Sequence, residues 1–346
     1  MNNILKYHLP DVVYAYGFSI RKRAIVRRFL VGVKVRFVSS NKSVPSGATV
    51  LLWGSAKLPA IISTDVKILR SEDGFLRSVG LGADLVYPIS WVIDSRGIYY
   101  NATQVSDLEY LLATTEFSEG ILQRASCLRE RIIVVGLTKY NVGVGYWYRP
   151  VGIKQVILVP GQVESDASIR YGALEICTNL ALLQAVRKAN PQAFILYKPH
   201  PDIVAGLRKQ NMTKVDYASY CDQIVLDFPM ADLLKEIDEV HTLTSLTGFE
   251  ALMRGKKVVC YGQPFYAGWG LTEDKIPIIR RTKMLNINAL VAAALILYPS
   301  YISIKNVKAI SPEQALEELI ELKANTAKYK TWYRRLLRFF LRIAAY

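Results

Sequence analysis

The chain has 346 residues, room for two domains of ordinary size, and 51% of them are hydrophobic, enough for buried cores. A formal net charge of +15 points to an anionic partner: nucleic acid, an acidic membrane or acidic small molecules. The four cysteines, Cys127, Cys177, Cys221 and Cys260, are scattered with no C-x-x-C pair, which excludes a zinc ribbon or a disulfide frame and suits a reducing compartment.

In chain order, the opening "MNNILKYHLPDVV" lacks the basic-then-apolar order of a signal peptide, and His8 within it reads as structural. The runs "VVYAYG", "VKVRFVSS", "TVLLWG", "VKILRSED" and "SWVID" are β-branched and aromatic, and predict strands. A Gly- and Tyr-rich stretch, residues 138–154, reads as a boundary. Beyond it, "QVILVPGQ", "AFILYKPHP", "EVHTLTS" and "KKVVCYGQ" predict further strands, with helical patterns at 179–190 and 230–239 between them. The apolar run "ALVAAALILY" (289–298) is too short to span a bilayer, so the chain is not expected to cross one. Strands alternating with helices predict an α/β fold of parallel sheets with right-handed crossovers. Two Rossmann-like domains facing a cleft are expected, 1–150 and 151–310, followed by a helical segment, 311–346. In such sheets ligands bind beyond the carboxyl ends of the strands.

Four stretches carry candidate chemistry at such ends. In "HTLTSLTGFEALMRG" (241–255), Thr244, Ser245 and Thr247 open a helix whose dipole favours a phosphate, with His241 beside them. One hydroxyl there would be an ordinary N-cap; several beside a histidine favour an anion. Glu250, a turn further on, could accept from ribose hydroxyls or be a solvated helix residue. In "LYKPHPD", Lys198 and His200 are donors on a proline-stiffened turn. In "VPGQVESDASIRYG", Glu164 and Asp166 are either nucleophile or base, or caps of the next helix. In "RSEDGFLRSVGLG", Glu72, Asp73 and Arg77 form either a structural ion pair or part of an active site. There is no G-x-x-x-x-G-K-[ST], no clean G-x-G-x-x-G, no H-E-x-x-H and no D-x-D, which favours a metal-independent enzyme that needs no cofactor and holds a nucleotide through basic and hydroxyl groups.

Together "EDGFLRSVGLG", "GQVESDASI", "YKPHPD" and "HTLTSLTGFEALMRGKKVVCYGQPFYAGWGLT" resemble the KpsC family of capsule polysaccharide β-Kdo glycosyltransferases, from about residue 14 to 274. KpsC proteins carry two such modules, so this chain looks like a single-module relative. The resemblance implies a GT-B-like fold and a retaining transferase that takes Kdo from CMP-β-Kdo to a glycan or lipid-linked saccharide acceptor. CMP has one phosphate, so no metal is needed to bridge a diphosphate. The family's Q-x-x-x-D-x-S motif begins at Gln162 and places its nucleophile on Asp166. Two-carboxylate retention needs a second acid/base group, which Glu72 would supply, with Asp73 as rival. His200 would contact the CMP phosphate, Ser245 and Thr247 would hold it, and Glu250 would take the ribose. Lys198 or Arg77 would pair with the Kdo carboxylate.

The end of the chain, "KYKTWYRRLLRFFLRIAAY" (328–346), lies outside that resemblance. At helical spacing Trp332, Tyr333, Leu336, Leu337, Phe339, Phe340 and Ile343 share one face, and Arg334, Arg335, Arg338 and Arg342 the other. This predicts an interfacial helix on anionic lipid, accounts for part of the charge, and implies a cytoplasmic enzyme on the inner-membrane face. No nucleic-acid-binding module is recognisable, so nucleic acid is not expected as a partner. Another CMP-sugar such as sialic acid, or a non-catalytic export scaffold, are the rival readings.

Overall fold

The computed structural model describes residues 9–39, 41–79, 87–139, 143, 145–204 and 216–328; His8 and the expected tail helix beyond residue 328 lie outside them. In chain order the elements are β1 (Val12–Tyr16), α1 (Ile20–Phe29), β2 (Lys34–Phe37), β3 (Thr49–Trp53), β4 (Lys67–Asp73), β5 (Ser90–Asp94), α2 (Asp107–Thr114) and α3 (Glu119–Val134). Then come β6 (Val156–Pro160), α4 (Ala167–Gly172), α5 (Asn179–Ala189), β7 (Phe194–Lys198), α6 (Pro201–Val204), β8 (Gln223–Ile224) and α7 (Met230–Glu236). The last are β9 (Glu239–Thr242), α8 (Leu246–Met253), β10 (Lys257–Cys260), β11 (Glu273–Asp274), α9 (Ile287–Val291), β12 (Ser300–Tyr301) and α10 (Pro312–Lys328).

The strands form two six-stranded sheets, so the fold is mixed α/β as expected. The second has the order β11-β10-β9-β6-β7-β8 with every pair parallel. Its central strands are apolar on both faces, as a parallel sheet covered on both sides requires. The first sheet has the order β12-β5-β4-β3-β1-β2. There β2, β1, β3 and β4 are parallel, whereas β5 runs antiparallel to β4, against the expectation of all-parallel pairing. A run such as "SWVID" encodes a strand but not its direction. Ser300–Tyr301, within the span expected to form the second domain, pairs antiparallel with β5 of the first sheet. The apolar run 289–298 is a buried helix ending in a π turn over 292–297. No described helix is long and apolar enough to cross a membrane.

One apolar core is continuous between the sheets. It joins Val92 of the first, with Ile89 just before β5, to Leu158, Val240 and Val258 of the second through Phe75, Phe265 and Tyr298. Phe75 lies with ring centroids 4.6 Å from Phe265 and 4.8 Å from Tyr99, contacts worth about 0.5–1.5 kcal/mol each beyond their buried area. An ion cluster, buried at Glu109 and Arg281 and exposed at Arg280, crosses the same seam. Glu109 of α2 accepts from Arg280 and from Arg281, whose Nη2 is 2.8 Å away. Arg281 also donates to the carbonyls of Pro264 (2.6 Å) and Ala267 (2.7 Å). Burial pushes the Glu109 pKa up, but the two guanidiniums outweigh it and hold the carboxyl below its ordinary value. Glu109→Gln leaves Arg281 buried without its counter-charge and should cost about 3–5 kcal/mol in urea unfolding. A loss under about 1 kcal/mol would show that the cluster contributes little.

Candidate active site

The second sheet places its own ligand crevice. Numbered from β6, its order is that of a doubly wound dinucleotide fold, and the chain changes direction of winding between β6 and β9. In such a sheet the loops leaving the carboxyl ends of those two strands diverge, and that is where ligands bind. Gln162, just past β6, and Thr244, just past β9, clasp across that point. Thr244 N donates to Gln162 Oε1 (2.9 Å), and Gln162 Nε2 donates to Thr244 Oγ1 (3.0 Å). Close packing fixes the neighbours. A Cβ on Gly172 would lie 2.8 Å from Thr244 Cγ2, and one on Gly262 would lie 2.7 Å from Gly172 O.

Ser245 is the N-cap of α8, and its hydroxyl accepts from Thr247 N at 3.2 Å. The ordinary capping role is therefore realised. What distinguishes this helix is its place: its positive end opens at the switch point. Tyr266 Oη donates to Ser245 O (2.5 Å), and a Cβ on Gly248 would sit 2.2 Å from that hydroxyl oxygen, so only glycine lets the helix start pack there.

Lys198 and His200 follow on β7 and the turn after it. A Cβ on Gly161 would come within 3.1 Å of Pro199 Cα, so this turn packs against the loop after β6. Lys198 is buried, donates to Leu226 O (2.9 Å), and burial depresses its pKa to about 8. His200 Nδ1 accepts from Asp202 N (3.2 Å), which puts the proton of the neutral ring on Nε2, a donor. The two carboxylates after β6 part company. Glu164 accepts from Asn179 N (2.7 Å) and Asn179 Nδ2 (3.1 Å) and so anchors the start of α5. Asp166 precedes α4, and its side chain makes no capping bond to that helix.

The first sheet brings Glu72 to the end of β4. Its Oε1 accepts from Asp73 N (3.1 Å), and enclosure by protein, then the Asp73 charge, push its pKa up to about 8 against the smaller pull of Lys22 and Lys139. Lys22 Nζ lies 3.2 Å from the centroid of the Trp53 ring. Asp73 is committed to the buried Arg77, whose Nε is 2.6 Å away and whose Nη1 donates to Ser78 Oγ (2.9 Å). Tyr100 joins this side to the crevice. A Cβ on Gly54 would lie 2.5 Å from the Tyr100 hydroxyl and 3.3 Å from Glu72 Oε2. The Tyr100 carbonyl would be 3.4 Å from a Cβ on Gly172, and Ala102 N donates to Tyr171 O (3.1 Å).

Two expected site residues are placed otherwise than a ligand loop would have them. His241 lies within β9, buried, with Nε2 3.1 Å from Glu239 Oε2, and burial lowers its pKa. Glu250 is buried on α8, and its Oε1 accepts from Lys139 N (2.7 Å), while burial raises its pKa to about 7. Tyr100 and Arg281 lie in none of the quoted motifs, and Tyr266 lies in one without being read as a site residue. Their neighbours are remote in sequence, and no spacing could reveal them. Among the described residues no three His, Cys, Asp or Glu side chains are grouped to hold a metal ion.

Comparison with known proteins agrees with these motifs. The model of the family described as "Capsule polysaccharide biosynthesis protein" matches residues 49–131 and 152–304. "Capsule polysaccharide modification protein LipA" of Neisseria meningitidis serogroup A is 46% identical over 325 residues, 91% of this chain and 46% of that protein. The chain thus spans about half the length of that relative. "Lipopolysaccharide-processing protein LpsZ" of Rhizobium meliloti is 39% identical over 84% of this chain and 70% of its own length. Among solved structures, Thermosulfurimonas dismutans KpsC, beta Kdo 2,7 transferase, is 41% identical with a TM-score of 0.73, covering 90% of this chain and 99% of that one. The corresponding beta Kdo 2,4 transferase is 32% identical with a TM-score of 0.81, covering 91% and 99%. The chain belongs to the KpsC-type family of capsule polysaccharide biosynthesis proteins.

Proposed function

We propose that the chain is a retaining glycosyltransferase that moves Kdo from CMP-β-Kdo to a saccharide acceptor in capsule or lipopolysaccharide assembly. The observation that carries this is the Gln162–Thr244 clasp at the switch point beside the capped start of α8, with Lys198 and His200 at the end of the neighbouring strand β7 and Tyr100 near both Glu72 and Gly172. The names of the KpsC, LipA and LpsZ relatives support the sugar and the pathway. Two doubly wound units meeting at their strand ends would be the GT-B arrangement.

In this reading CMP lies over β6 and β9, with its phosphate at the start of α8 among Thr244, Ser245 and Thr247. His200 Nε2–H donates to the phosphate and stabilises it as it leaves. The Asp166 carboxylate attacks the anomeric carbon of Kdo, and the bond to the CMP phosphate oxygen breaks with its electron pair. The acceptor hydroxyl then attacks the same carbon and displaces Asp166, while Glu72 takes the hydroxyl proton. Two inversions give retention. Asp73 is spent on Arg77, which favours Glu72 as the base and Lys198 as partner of the Kdo carboxylate. Glu250 and His241 would act behind the pocket, through Lys139 and Glu239, and not on the nucleotide directly.

His200→Ala removes a hydrogen bond to a charged phosphate, worth about 1.5–3 kcal/mol, and should weaken CMP binding by roughly ten-fold or more in calorimetry. Unchanged affinity would remove His200 from the site. The basic aromatic segment 328–346 is proposed to rest on the cytoplasmic face of an anionic membrane, each basic side chain contributing about 1 kcal/mol. Deleting it should lower sedimentation with phosphatidylglycerol vesicles, and equal sedimentation would refute that role.

A further inference from the structure

The net charge is not spread over the molecule. Between Asp11 and Asp65 there are nine Lys or Arg and no acidic residue, and after Glu321 there are seven with none. The other 28 of the 44 basic residues face all 29 acidic ones, so two segments hold the whole excess. The first is described by the structure. It comprises β1, α1, the edge strand β2, β3 and the loop after it, with the cations concentrated on α1 and β2.

At this edge Arg23 and Arg27 of α1 stand over the Phe37 ring, at 5.2 and 5.0 Å from its centroid. On β2 the alternation exposes Lys34 and Arg36 on the opposite side of the strand from Val35 and Phe37, which join the core under α1. Arg36 stacks on Tyr14 at 5.9 Å, and Lys42 is exposed just beyond. The cations therefore wrap both sides of the edge. Among the described residues, none of Arg23, Arg27, Lys34, Arg36 and Lys42 makes an ion pair with a carboxylate. Ile20 and Val31, at the two ends of α1, are 86% and 69% exposed.

Two ordinary explanations fall short. Charged side chains protect an edge strand from pairing, but mixed signs would serve equally. Basic residues at the end of a helix favour its dipole, as Arg27 and Arg28 do, yet Arg23 lies in the first turn, where positive charge opposes the dipole. The segment gives up local helix stability to keep one sign of charge.

We infer that this α1–β2 edge is a docking surface for an anionic lipid bilayer, independent of residues 328–346. Arginines meet headgroup phosphates, while Ile20 and Val31 enter the headgroup region, where exposed aliphatic side chains gain what a hydrated glycan could not give them. Two strands, β1 and β3, separate the edge strand from β4, which carries Glu72, so docking here would bring the sugar-transfer side of the first sheet close to the membrane.

The test uses the full chain without donor, so it reads nothing of the transfer chemistry. Arg23→Gln/Arg27→Gln/Lys34→Gln/Arg36→Gln is compared with wild type for binding to vesicles of phosphatidylcholine with 30% phosphatidylglycerol, to pure phosphatidylcholine vesicles and to soluble polygalacturonate (roughly five-fold expected per cation near an anionic surface). Partition onto the anionic vesicles should fall at least ten-fold with the melting temperature kept, and neutral vesicles should show no difference. Lys34→Gln/Arg36→Gln/Lys42→Gln, which leaves the α1–Phe37 stacking intact, should show the same direction if the quadruple variant is unstable. The inference is overturned by unchanged vesicle partition. It is equally overturned by an equal loss in the distant control Lys154→Gln/Lys188→Gln, or by lost polygalacturonate binding with vesicle binding kept, which would make the edge a glycan surface.

Discussion

Glu72→Gln should lose transfer activity by about a thousand-fold and yet fold more stably than the wild type at neutral pH. The first half follows from its proposed role as the base for the acceptor hydroxyl, since a positioned base contributes roughly 10²–10⁴-fold. A carboxyl raised to about 8 is a stronger base than an ordinary glutamate, but it acts only when ionised. Transfer should therefore rise with pH towards about 8 in the wild type, and the variant should lose that dependence. The second half is linkage. The native carboxyl holds its proton up to about 8, whereas in the unfolded chain it releases it near the ordinary glutamate value of 4.5. The native-state penalty is absent below the unfolded value, grows as pH rises between the two, and is constant above the higher one. The neutral amide removes it and keeps the acceptor for Asp73 N, so the variant should gain about 1–3 kcal/mol at pH 7 and nothing at pH 4. A variant that is inactive but not stabilised would point to an ionised Glu72 held by a cation. One that keeps its activity and pH profile would remove it from the chemistry.

Asp166→Asn should abolish transfer to background, at least a thousand-fold, while CMP binds as before. Asparagine has the size of aspartate and suits the position before a helix equally well, so α4 should form unchanged. The amide cannot displace the nucleotide, and no covalent intermediate can form. The nearby Glu164 is tied to Asn179 and is poorly placed to substitute. Steady-state rates with a soluble acceptor, paired with CMP titrations, separate the two effects. Near-normal turnover in this variant would rule out the double displacement, and lost CMP binding would recast Asp166 as a binding residue.

Much of the scaffold was legible because the nine predicted runs are β-branched stretches bounded by Gly, Pro or Ser, and all nine appear as strands. What was not legible has a physical reason in each case. β8, β11 and β12 are two residues each, too short for any periodicity to register. The antiparallel entry of β5 depends on a connection and not on its own composition. In the site, strand-end hydroxyls, Lys-Pro-His-Pro and paired carboxylates stood out because such groups are costly to place there without partners. Their division of labour did not, because Glu164 and Asp166 look alike until Asn179 is seen to claim one of them. Glu109 and Arg281 meet across 172 positions of sequence, and a single helical Glu and a loop Arg carry no mark of it.

The central claim is that Asp166 attacks CMP-β-Kdo. Wild-type protein is mixed with CMP-β-Kdo, or with CMP-sialic acid, in the absence of acceptor, and intact mass and released CMP are followed together. With CMP-β-Kdo one equivalent of CMP should appear with a mass increase of one Kdo residue, mapped by peptide sequencing to Asp166, and CMP-sialic acid should give neither. No adduct while transfer proceeds on adding acceptor, an adduct on another residue, or a preference for CMP-sialic acid would contradict the account.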